Sequence, residues 1–257
     1  MKAITLFLAS FVFVYSLAGQ QASPKAEDKF YMLDENFKGT TQQKATYFIH
    51  VEKENDTCWQ FDTYHIMGPI ISSEQYKDEK GQLANGHFSY YNKKGAIDST
   101  GNYINGLQDG SWYFINDTGR YYLQKDYKAG LIVATKDFLK LDSIEKAKND
   151  TAKKNPEKIE IESLFPGGIK KWISYLSENM VYPDRALKNN IQGKVVIQFI
   201  VDKDGIVISP EIALSVEYSL DQEALRLIKA SPAWAPAEQN GKKVKSYKKQ
   251  PISFKFK

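Results

Sequence analysis

One cysteine, Cys58, stands in 257 residues, so no disulfide can form within the chain. It does not follow the N-terminal apolar run, which disfavours a lipid-anchored lipoprotein, and it reads as a small buried hydrophobe. Histidine is scarce too: His50, His65 and His87 are scattered without metal-ligand spacing, and each reads as an exposed or locally bonded residue. The chain has no G-x-S-x-G, no phosphate loop and no dinucleotide fingerprint. Glu160 and Glu162 alternate along one segment and read as a solvated face. These absences point to a non-enzyme with no cofactor, metal or small-molecule substrate. A net charge of +4 is too mild to imply nucleic acid. The longest apolar run, Ile4 to Ala18, falls short of the roughly 20 residues that cross a bilayer.

What is present begins with that run. Lys2 precedes it, Ser16 and Ala18 offer a cleavage site, and Gly19-Gln20-Gln21 ends it. Residues 1–19 therefore read as a cleaved export signal, which places the mature chain in a periplasm-like compartment. An uncleaved inner-membrane anchor is the alternative. Residues 20–56 carry no clear motif, although Tyr47 to Val51 has the composition of a strand.

A repeat fills residues 57–136. Gly86, Phe88, Tyr90, Gly95, Tyr103 and Gly106 recur as Gly110, Trp112, Phe114, Gly119, Tyr127 and Gly130, each pair offset by 24. A stretched upstream copy uses Trp59, Phe61, Gly68, Tyr76 and Gly81. Asn85-Gly86 and Asp109-Gly110 read as turn dipeptides and the alternating aromatics as one strand face. Each unit is then a β-hairpin that must stack on its neighbours to bury its rings, giving an all-β domain of stacked hairpins. The rings are structural in this reading; an exposed aromatic binding stripe is the alternative. The pattern is similar to MORN-like repeats of the bacterial type. Residues 137–157 are rich in Lys, Asp and Asn and read as a charged linker.

Residues 158–257 read as an α+β domain. Lys158 to Glu162 alternates as a short strand. Phe165-Pro166-Gly167-Gly168 opens a helix whose apolar stripe is Ile169, Trp172, Ile173 and Leu176, and Tyr182-Pro183 breaks it. A short helix covers Asp184 to Asn189. A strand starts at Gly193 with Val195, Ile197, Phe199 and Val201 on one face, and Asp204-Gly205 tips the turn that follows. Ser219 and Gln222 form a capping box for a helix buried through Leu220, Ala224, Leu225 and Ile228. Trp234 reads as a core plug. In the final strand Ile252, Phe254 and Phe256 point inward, and Pro251 suits an edge position.

These landmarks carry a resemblance. The run FPGGIKKWISYLSENMVYPDRALKNNIQGKVVIQFIVDKDGIV, followed by LDQEALRLIKASPAWAPAEQNGKKV and PISFKF, resembles the TonB C-terminal domain in its Bacteroidota-type form. The resemblance implies a three-stranded antiparallel sheet with two helices on one face. It also implies a protein partner, an outer-membrane transporter's N-terminal segment, captured by strand addition in TonB-dependent transport. By position the pairing residues are Tyr247, Lys248, Lys249, Gln250, Ile252, Ser253, Phe254, Lys255 and Phe256, and Ile252→Pro is the substitution expected to abolish capture. Seven lysines and no acid lie between Gln239 and Lys257. They either guard the edge against aggregation or steer an acidic partner. Three features depart from a full energy transducer: the short apolar run, the missing Pro-rich spacer, and Glu178 to Val181 in place of a Gln-Pro segment. An exported adaptor without energy transduction and a dimerising structural module are the competing readings.

Overall fold

The computed structural model describes residues 28–140 and 160–256, which form two compact units. The expected export signal, most of the charged linker, Lys158, Ile159 and Lys257 lie outside the described residues.

The first unit is one sheet of nine sequential antiparallel strands. They are β1 (Lys29–Leu33), β2 (Tyr47–Asn55), β3 (Cys58–His65), β4 (Ile70–Tyr76), β5 (Ala84–Tyr91), β6 (Ile97–Ile104), β7 (Leu107–Ile115), β8 (Tyr121–Lys128) and β9 (Leu131–Asp137). The sheet thus begins at Lys29, well before residue 57, and the units are joined edge to edge as a continuous meander. The 24-residue period is visible as strand pairs: Gly86 faces Tyr103 across β5–β6, and Gly110 faces Tyr127 across β7–β8.

The turns are elsewhere than expected. Asn85-Gly86 and Asp109-Gly110 lie inside β5 and β7. Within the 24-residue repeat the two-residue turns are Asn105-Gly106 (φ 50° and 83°) and Ala129-Gly130 (φ 49° and 81°), left-handed at both positions as a twisted hairpin demands. The Asn85 carboxamide oxygen accepts the Asn105 N–H, and the Asp109 carboxylate accepts that of Ala129, so these side chains brace the next unit's turn. The opposite ends are closed by Asn92 and Asn116, whose side-chain oxygens accept backbone N–H groups two and four residues on.

Burial explains the aromatic spacing. A cluster of Leu33, Ile49, Val51 and Phe61 fills one end. From it a ladder of rings crosses the strands: Phe61, Tyr76, Phe88, Tyr103, Trp112 and Tyr127, with successive centroids 4.5–6.5 Å apart. Each contact is worth about 0.5–1.5 kcal/mol beyond its area. Gly101 leaves room for the Trp112 ring, since a Cβ there would sit 2.3 Å from it.

Among the described residues the second unit holds two three-stranded sheets and three helices: the short helix expected from Asp184 is present, and the second sheet goes beyond the single sheet and two helices that the resemblance implies. Helices α1 (Gly168–Asn179), α2 (Asp184–Lys188) and α3 (Tyr218–Lys229) accompany a main sheet of β11 (Gly193–Val201), β12 (Val207–Leu214) and β15 (Ser246–Phe254). A smaller sheet joins β10 (Glu160–Ile161), β13 (Ala237–Gln239) and β14 (Lys242–Val244). Val195, Ile197, Phe199 and Val201 are buried as expected, with Leu220, Ala224, Leu227 and Ile228 of α3. Leu227, not Leu225, completes that stripe. Glu217, not Ser219, caps α3: its carboxylate accepts the Ser219 N–H and pairs with Arg185. On α1 only Trp172 is fully buried; Ile169 and Ile173 face solvent. The helix is rolled by the Phe165–Trp172–Trp234 ring cluster, whose centroids lie 5.2–5.9 Å apart.

Candidate functional site

Strand β15 pairs on one side only. The sheet order is β12-β11-β15, and among the described residues no strand pairs with the outer side of β15. Its register with β11 runs unbroken through nine pairs, from Gly193 opposite Phe254 to Val201 opposite Ser246. The other edge, β12, is irregular. Two register shifts interrupt it, Ser209 adopts φ 52°, and Pro210 follows. A bulged edge with a proline is a poor template for a further strand. The regular edge is β15.

The phase of β15 follows from two residues. Pro251 has no N–H, which suits a position whose amide would face away from the neighbour. Phe256, an odd number of residues along, turns its N–H the other way and donates to Gln192 Oε1 at 2.9 Å. Amides alternate along a strand. Those of Lys248, Gln250, Ile252 and Phe254 therefore face β11, and those of Lys249 and Ser253 face outward.

Side chains alternate in step. Tyr247, Lys249, Pro251 and Ser253 are exposed, while Ile252 and Phe254 are fully buried. Lys248 is half-buried and reaches Glu162 at 3.4 Å. Of the nine expected pairing residues, then, Lys249 and Ser253 combine an outward amide with an exposed side chain, and Tyr247 shares their phase. Ile252 and Phe254 belong to the core. Lys255 and Phe256 lie past the strand, where the Tyr182 ring meets Phe254 edge to face (5.9 Å) and an exposed Phe256 at a tilt (5.2 Å). Tyr182 itself donates to the Ile191 carbonyl at 2.6 Å, and burial pushes its phenol above the ordinary value.

Exposed Lys242, Lys243, Lys245, Lys249 and Lys255 make the surroundings of this edge basic. Residues 178–256 match the family described as Gram-negative bacterial TonB protein C-terminal. The solution structure of the Helicobacter pylori TonB C-terminal domain is similar at 23% identity, covering 36% of this chain and 87% of that one, with a TM-score of 0.27. No curated protein matches the chain.

Two supports of this TonB-like domain escaped the sequence reading. Glu217, buried, is held by Arg185 of α2. Asp221, also buried, accepts the Ser215 hydroxyl and the Val216 N–H. An acid just before a helix and one in its first turn are the signals that pointed there. At the far end of β11, Gly205 (φ +85°) accepts the Trp234 N–H at 2.8 Å, and a Cβ on it would lie 2.1 Å from the Trp234 carbonyl oxygen. The Asp204-Gly205 turn and the Trp234 plug are thus one feature.

Proposed function

We propose that the second unit is a non-catalytic grip of a TonB-like protein, exported to the periplasm, which captures an extended segment of another protein by adding it to the outer side of β15. The partner class is an outer-membrane transporter's N-terminal segment, and the setting is TonB-dependent transport. One observation carries the reading: β15 is regular along nine pairs and, among the described residues, no strand pairs with its outer side, whereas β12 is bulged. The family match over residues 178–256 supports the partner class. Main-chain bonds would supply affinity and the exposed odd-numbered side chains selectivity. The lysines beside the edge would favour a partner carrying acidic residues.

Amide hydrogen exchange on the full chain tests this residue by residue. Peptides copied from N-terminal segments of outer-membrane transporters should slow exchange at Lys249 and Ser253. Lys248, Gln250 and Ile252, already bonded to β11, should be slow without peptide. Protection spread over β12 instead, or confined to helix residues, refutes the assignment.

A further inference from the structure

Asn-Gly occurs at 85–86, at 105–106 and at 240–241. The dipeptide forms turns, and it is also chemically unstable. Glycine has no side chain to keep its backbone nitrogen away from the asparagine carboxamide, so the two groups can meet and close a five-membered ring. How often they meet depends on what holds each of them in the fold.

Two of these pairs are held. At Asn105 the carboxamide oxygen accepts the Lys77 ammonium at 2.6 Å, and the backbone N–H donates to Asn85 Oδ1 at 3.2 Å. The Gly106 nitrogen, which would have to attack, donates to the Ala84 carbonyl at 2.8 Å. Asn85 spends its carboxamide oxygen on that bond from Asn105, and it lies with Gly86 inside β5, which is paired on both sides. A Cβ on Gly86 would collide with the Gln75 side chain, so the backbone there is closely packed.

Asn240-Gly241 repeats the turn without these restraints. Its φ angles are 51° and 72°, against 50° and 83° at Asn105-Gly106. Both residues are exposed, and a Cβ on Gly241 would meet no described atom within 4 Å beyond its chain neighbours. The turn joins β13 and β14, of three residues each, and β14 is the outer strand of its sheet. Opening so short a hairpin breaks few bonds, whereas opening the Asn105 turn also breaks its bonds to the preceding hairpin.

We propose that Asn240 is a site of spontaneous deamidation. Hydroxide removes the Gly241 amide proton, and the nitrogen attacks Asn240 Cγ. A C–N bond forms and closes a succinimide ring, the bond from Cγ to Nδ2 breaks, and ammonia leaves with a proton taken from water, which restores the hydroxide. Water then opens the ring at either carbonyl and leaves aspartate or isoaspartate. A neutral amide thus becomes a carboxylate beside Lys242, Lys243 and Lys245, and the basic surroundings of β15 lose net positive charge. Isoaspartate also carries the main chain through an extra carbon, which the two-residue turn between Gln239 and Lys242 cannot absorb unchanged.

Timed incubation of the full native chain, followed by digestion at low pH and peptide mass mapping, tests this. Asn240 should convert first, to both products, and at least about tenfold faster than Asn105, whose attacking nitrogen and carboxamide are each hydrogen-bonded. The rate should rise with pH. In urea the rates at the three sites should converge, because the fold alone separates them. Asn240→Gln needs a larger ring and should remove the early acidic species seen on ion exchange, while slow amide exchange along β11 shows that the second unit is intact. Conversion of Asn85 or Asn105 as fast as Asn240 in the native chain overturns the proposal. So does a native Asn240 that stays intact while the same residue converts in urea, or a tenfold lead of Asn240 that persists in urea.

Discussion

Two adjacent prolines on β15 separate binding from stability. Lys249→Pro removes an outward amide and leaves every bond to β11 in place. The docked strand would lose one hydrogen bond, about 1 kcal/mol, and one of its carbonyls would face a ring without a donor, about 1–3 kcal/mol more. At about 1.4 kcal/mol per decade the sum is on the order of a hundredfold in affinity. Lys248→Pro does the reverse. Its amide faces β11, opposite Phe199, whose side chain is buried. Orphaning that carbonyl costs about 2–3 kcal/mol, and for a unit of this size each 1 kcal/mol lowers Tm by about 4–8 °C. Calorimetric titration of a transporter segment and thermal unfolding are the two assays. Lys249→Pro should bind poorly and melt normally; Lys248→Pro should melt early. Equal destabilisation by both, or normal binding by Lys249→Pro, refutes the strand phase. Ile252→Pro, the choice the sequence suggested, cannot make this distinction, since Ile252 is a core residue whose amide faces β11.

Gly205→Ala should cost the second unit about 3 kcal/mol or more, from a left-handed alanine and its collision with the Trp234 carbonyl, read as a lowered urea midpoint. Arg185→Ala should cost about 3–5 kcal/mol by stranding the buried Glu217 carboxylate, and Arg185→Lys should recover only part. In the first unit, burial pushes the Asp62 carboxyl up, against the pull of His50 and the bonds from Ser73 and Gln60. The folded acid then holds its proton more firmly than the unfolded one, so stability falls as pH rises above about 4. Asp62→Asn keeps the site neutral and should flatten that fall in denaturant titrations taken at stepped pH.

The repeat period was legible because identical turn and ring positions must recur for units to stack. Which Asn-Gly made the turn was not. Asn85-Gly86 and Asn105-Gly106 have equal local propensity, and only cross-strand register places one in β5 and the other between strands. The α1 stripe failed for a related reason. Ile169 and Ile173 fit an apolar face, but Phe165 and Trp234 seize Trp172 and turn the helix. Leu225 and Leu227 were separable only by the packing of α3. At the candidate site, Pro251 announced an edge from sequence alone. Its residue-level consequence needed the fold, which pairs β15 with β11 on one side and sends the Phe256 N–H to Gln192, so that Lys249 and Ser253 present amides outward and Ile252 and Phe254 do not.

Pro251 also sets how tightly this edge can hold. Without an N–H it interrupts the outward row between Lys249 and Ser253, so a docked strand meets donors on either side of a gap. The partner carbonyl opposite Pro251 must turn to water, which costs affinity but also denies the edge to long, regular strands of the wrong kind. Pro251→Ala fills the gap. The Pro251 side chain is exposed, so the core loses nothing, and one new main-chain bond is worth about 1 kcal/mol, roughly fivefold in affinity. The same substitution removes the guard, so the variant should self-associate through β15 at concentrations where the native chain does not. Titration should show tighter capture of a transporter segment, and light scattering should show the added association. A Pro251→Ala chain that binds more weakly would place the proline amide position against β11 and reverse the phase on which the site is built.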